Sequence, residues 1–108
     1  MLIKADVFSL VIIDSVILND SGQKILDELQ PYLIESIETS SWPGTILYNG
    51  KVRLFKYKVN NNSLGILSTI DNLFDWLQPN YPEDLTFYKE DKPIFISISH
   101  EKDCWYEK

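Results

Sequence analysis

Apolar residues in this chain come in short runs set apart by turn-forming clusters, and the spacing within the runs changes along the sequence. Residues 7–18 are crowded with Val and Ile, whose branched β-carbons suit a pleated surface better than a helix. A buried strand is expected there, as one piece or as two divided near Asp14-Ser15. Asp20 then stands at a helix N-cap position with Gln23 three residues on, and Ile25, Leu26 and Leu29 recur at helical spacing. Pro31 ends that helix, because its ring clashes with the preceding turn and biases Gln30 away from helical angles.

Residues 33–40 alternate weakly, as a strand does. The strongest local signal is Asn49-Gly50 between residues 45–48 and 51–59: the pair supplies the positive φ angles of a two-residue hairpin loop, so these flanks are expected to pair. In the second arm Val52 and Leu54 share one parity and Phe55, Tyr57 and Val59 the other. A bulge near Leu54-Phe55 would bring all five to one face and leave Lys51, Arg53, Lys56 and Lys58 outside.

Asn62 or Ser63 is placed to cap a second helix carrying Ile66, Leu67, Ile70, Leu73, Phe74 and Leu77 at three- and four-residue steps, with Pro79 as its stop. Residues 85–88 and 94–99 form a last strand pair with Ile94, Ile96 and Ile98 inward, and Trp105-Tyr106 add a short edge. Two helices of about 11 and 15 residues with five to seven strands define an α+β fold. A mostly antiparallel sheet with both helices on one face is expected, as a single domain over residues 1–108.

Charge narrows the choice of partners. The net charge is −6, with Lys51, Arg53, Lys56 and Lys58 contributing +4 between two flanks of −5 each. That balance repels phosphate backbones and anionic membrane surfaces, so neither nucleic acid nor membrane is expected as a partner. The basic strand with Phe55 and Tyr57 interleaved has the make-up of a single-strand binder, but lysines on a strand more often blunt an edge. A single cysteine, Cys104, suits a reducing compartment, and residues 7–18 are too few for a membrane span of about 20 and lack a cleavage site. A cytoplasmic location is expected.

Chemistry-bearing residues are sparse. His100-Glu101-Lys102-Asp103-Cys104 is where a His, a Cys and carboxylates meet, yet a His and a Cys four apart supply two metal ligands and a site needs three or four. No metal is expected. His100 with Ser97, Ser99 or Cys104 as nucleophile and Glu101 as orienter would serve a small hydrolase or transferase, although no Gly-x-Ser-x-Gly elbow accompanies them. The four glycines are isolated, so no phosphate-cradling loop and no cofactor are expected. The acidic groups suggest more: Asp71 and Asp75 share a helix side, and Glu83 and Asp84 follow behind Trp76 and Tyr81. An acidic surface set with aromatics suits capture of a basic protein, with complementary charge speeding encounter and an aromatic anchor, Trp76 or Tyr81, supplying affinity. Trp42, before the Pro43-Gly44 turn, either pins that turn to the sheet or serves as a contact.

Ser-Trp-Pro-Gly-Thr at 41–45, Leu-Phe-Asp-Trp-Leu-Gln-Pro at 73–79, Tyr-Pro-Glu-Asp-Leu-Thr-Phe-Tyr at 81–88 and Ser-Ile-Ser-His-Glu at 97–101 resemble small uncharacterised bacterial proteins, some of the kind found beside polymorphic toxins as immunity proteins. The resemblance covers residues 30–101 and implies a binding function without assigning a site. Together the two lines lead to a small acidic inhibitor of a cationic toxin, monomeric or homodimeric, rather than to an enzyme.

Overall fold

The computed structural model describes residues 5–13, 18–46, 50–70, 76, 78 and 80–107, and of His100 the backbone alone. The expected α+β architecture is present. A six-stranded antiparallel sheet is built from β1 (Val7–Ile13), β2 (Leu33–Thr39), β5 (Val52–Lys58), β6 (Glu83–Lys89), β7 (Lys92–Ile98) and β8 (Asp103–Tyr106). The strand order is β2-β5-β1-β6-β7-β8, and β3 (Ser41–Trp42) with β4 (Thr45–Ile46) forms a separate small hairpin. Among the described residues no helix is long and apolar enough to cross a membrane.

Helix α1 (Asp20–Leu29) begins one residue earlier than a cap at Asp20 implies: Asn19 is the N-cap, and its side chain accepts from the Gly22 backbone N–H. Gln30 to Tyr32 turn tightly behind it, with Pro31 at the start of the turn. Helix α2 (Asn61–Leu67) starts from a reciprocal capping box between Asn60 and Ser63, two or three residues ahead of the expected cap. It ends at Leu67 with Ser68 as its C-cap, short of the expected run to Leu77, and residues 71–75 and 77 lie outside the described residues.

One face of the sheet carries Phe8, Leu10, Tyr57, Leu85 and Phe87, which pack with Ile25 and Leu29 of α1, Leu67 of α2 and Trp76. Rings dominate this core: Phe8 stacks on Tyr57 at 5.2 Å between centroids and meets Phe87 at 6.1 Å. Trp76 belongs to it, 2 % exposed. On the opposite face Val11, Val52, Leu54 and Trp42 form a smaller cluster, with Ile13 packed against it.

Two expectations are overturned together. Thr45 and Ile46 pair with Ser41 and Trp42 across Pro43-Gly44 and not with β5 across Asn49-Gly50. The reason is competition, since β5 is hydrogen-bonded to β2 on one side and β1 on the other, so neither of its edges is free. Nor does β5 bulge at Leu54-Phe55: its register with β1 runs without a shift from Val7↔Lys58 to Ile13↔Val52. Tyr57 packs on the helix face and Val52 and Leu54 on the hairpin face, so the two parities of β5 each find an apolar environment and no bulge is needed to reunite them.

The basic residues of β5 are not at an edge. Lys51 and Arg53 each lie 3.7 Å from Glu38 and Lys56 lies 3.6 Å from Glu35, so β2 supplies the counter-charge. The β6–β7 hairpin turns through Glu90-Asp91, both at positive φ, as a two-residue primed turn requires. Ile96 and Ile98 are buried and Ile94 is half-buried, and β8 adds the expected edge with Trp105 opposite Ile96.

Candidate functional site

The most distinctive local chemistry lies under the β3–β4 hairpin, where the sheet departs from regular pairing. Between β1 and β6, Ser9 faces Thr86 but Val11 faces Glu83, so β6 carries one residue more than its partner over this stretch. The bulge holds Asp84 at φ +55°, a left-handed conformation that Asp tolerates better than most residues because its short polar side chain bonds locally.

Asp84 is 4 % exposed, and each of its carboxylate oxygens accepts one hydrogen bond. Trp42 Nε1–H donates to Oδ2 at 2.9 Å, and the Ser99 backbone N–H donates to Oδ1 at 2.8 Å. In return the Asp84 backbone N–H donates to Ser99 Oγ at 3.3 Å. These are charge-assisted bonds, the strong kind, and they fix three segments at one point: the hairpin through Trp42, the bulge through Asp84, and the end of β7 through Ser99. Glu83, 2 % exposed, accepts from the Gln78 backbone N–H at 3.1 Å, and the Gln78 side-chain oxygen accepts from the Ile13 N–H at 2.6 Å.

Beside this network a partly open cavity of about 220 Å³ is lined by Val11, Ile13, Trp42 and Ile98 on its apolar side, Glu83, Asp84 and Glu101 as carboxylates, and Thr45. Gly44 closes the hairpin over the sheet. Its φ of +88° follows Pro43, the order a tight Pro-Gly turn demands, and a Cβ there would stand 2.6 Å from Ile98 Cδ1 and 3.2 Å from Trp105 Cη2. Of the two roles weighed for Trp42, pinning the turn to the sheet is seen in its bond to Asp84, and the residue also lines the cavity.

The other expected site residues are scattered or differently disposed. Asp71 and Asp75 lie outside the described residues. Trp76 is a core residue and Tyr81 packs on it at 5.8 Å, half-buried, so Trp76 offers no exposed anchor. Glu83 and Asp84 do not belong to an open acidic face; the bulge and the Trp42 and Ser99 donors draw them inside. Ser97 is fully buried, and its Oγ donates to the Leu85 backbone oxygen at 2.6 Å. Ser99 sits not on the strand but in a tight turn with His100 and Glu101, closed by Lys102 at positive φ. Cys104 is an exposed thiol opposite Ser97 in the β7–β8 register. Among the described residues no group of three His, Cys, Asp or Glu stands where it could hold a metal ion.

Trp42, the Glu83-Asp84 bulge and the Ser99–Glu101 turn, distant in sequence, converge on this one cavity. No family model, curated protein or solved structure matches the chain.

Proposed function

We propose that the protein is a binding module for a basic protein, acting as an immunity-type inhibitor of a cationic bacterial toxin. The observation that carries this reading is the cavity itself: Glu83 and Asp84 stand buried beside an apolar opening, in a chain of net charge −6. Negative charge of this kind draws a cationic partner during encounter, and a recess rimmed by Trp42 gives it something to hold. The hydroxyls of Ser97 and Ser99 are both bonded to the β6 backbone, which favours a packing role for them over nucleophilic chemistry.

Co-expression with the reading frames encoded next to this one tests the reading. Expected is a one-to-one complex with a basic gene product, protection of the host from it, and an association rate that falls steeply with salt. Charge reversal of Asp71, Asp75 and Glu101 together is expected to slow association about tenfold or more at low salt. A basic neighbouring product that kills the host unhindered, or a complex whose formation ignores salt, overturns it.

A further inference from the structure

We propose that the cavity under the β3–β4 hairpin takes the side chain of one lysine or arginine supplied by a protein partner. The inference rests on the reading above and adds to it the place and manner of capture.

Size comes first. At about 220 Å³ the cavity is below the roughly 300–1,000 Å³ of pockets that engulf whole small molecules, and it suits one long side chain entering from its open side. Its lining supplies both kinds of surface such a side chain needs: Val11, Ile13 and Ile98 for an alkyl stem, the indole of Trp42 for the stem or a cation's face, and carboxylates for the head.

Charge decides the sign of the occupant. Asp84 receives only neutral donors, the Trp42 indole N–H and the Ser99 backbone N–H, and no Lys or Arg among the described residues pairs with it. A carboxylate offers about four lone-pair positions, and these two bonds fill half of them. Glu83 beside it is 2 % exposed and Glu101, also lining the cavity, is exposed. An anion entering here meets the like charges of Asp84 and Glu101. A neutral apolar occupant strips water from the carboxylates and returns nothing, which is costly. An alkylammonium or alkylguanidinium ion does the reverse, bringing the compensating charge into a low-dielectric setting where the attraction is strong.

The Trp42 indole N–H is bonded to Asp84, so its resonance reports on the cavity directly. We would titrate the full chain, at constant ionic strength, with n-butylguanidinium and n-butylammonium, and in parallel with butan-1-ol and pentanoate. The expected result is a saturable shift of the Trp42 indole signal by the cations with half-saturation in the millimolar range, as fits ligands of so few atoms. Butan-1-ol and pentanoate should bind at least tenfold more weakly. Glu101→Gln, an exposed change that spares the fold, should weaken the cations several-fold, and Thr45→Trp, which fills the opening, should abolish the shift. Equal binding of butan-1-ol, or no saturable shift by either cation, overturns the proposal. So does spermidine binding more than tenfold tighter than N-acetyl-arginine amide, which would assign the cavity to a free polyamine. The outcome is separable from the toxin reading: a salt-sensitive complex would survive a failed titration, and a saturable titration would survive the absence of that complex.

Discussion

The two faces of the sheet use buried volume in opposite ways. The helix face is filled with rings and aliphatic side chains, Phe8, Leu10, Tyr57, Leu85 and Phe87 against α1, α2 and Trp76. The hairpin face interleaves Val11, Val52 and Leu54 with Ser9, Thr86 and Tyr88, and ends in Asp84 and Glu83. The first arrangement maximises apolar area removed from water. The second gives up part of that gain to hold carboxylates in fixed positions, a cost that packing alone does not require, and it is on this side that the cavity lies.

That contrast can be broken in graded steps. Phe8→Ala, in the centre of the helix face and fully buried, should cost about 3–5 kcal/mol in urea unfolding, with the midpoint falling and the slope kept. Asp84→Ala on the other face orphans the Trp42 and Ser99 donors and should cost about 2–4 kcal/mol, accompanied by loss of the Trp42 indole shift that the helix-face variant keeps. Gly44→Ala should cost about 1–3 kcal/mol, because strain at positive φ adds to contact with Ile98. Gly50→Ala is its control: the φ is equally positive at +87° but nothing stands within 4 Å, so a loss of about 1 kcal/mol is expected.

The last effect is one of pH. Burial pushes the phenols of Tyr57 and Tyr88 above their ordinary value of 10.0, the hydrogen bond from Ser9 bringing Tyr88 partly back. Above that ordinary value the unfolded chain releases phenolic protons that the folded chain keeps, so stability falls as pH rises, by at most about 1.4 kcal/mol per pH unit for Tyr57. Unfolding midpoints compared between pH 8 and pH 11 should show a shallower decline in Tyr57→Phe than in the parent chain.

Local patterning made the elements legible but not their partners. The runs of β1, β6 and β7, the stop at Pro31 and the inward Ile96 and Ile98 follow from spacing and proline geometry alone. Asn49-Gly50 misled because a turn signal states what a loop tolerates, whereas β5 is claimed by β1 and β2, strands distant in sequence. The alternation of β5 was plain, and it was misread only because one solvated face was assumed. Glu83 and Asp84 looked like surface groups because carboxylates seldom lie inside unless something holds them. A hint was present: a Trp beside a Pro-Gly turn needs an acceptor for its indole N–H if the ring packs inward, and two acids at the head of a strand are the natural acceptors. The bulge that turns Asp84 toward Trp42 depends on strand register, which no single segment encodes.

The strand order also bears on how the chain is made. β1 emerges from the ribosome before either of its neighbours, β5 and β6, and the second of these is more than seventy residues away in the register Val7↔Tyr88. Until β5 is made Val7–Ile13 is an apolar ribbon with no native strand beside it, and its second edge stays open until β6 follows, while the β6–β7–β8 meander closes on itself at once when synthesised. Translation therefore leaves the future centre of the sheet waiting longest, and a holding chaperone that shields short Val- and Ile-rich stretches would act on this protein during that interval and have no ligand once β6 is in place.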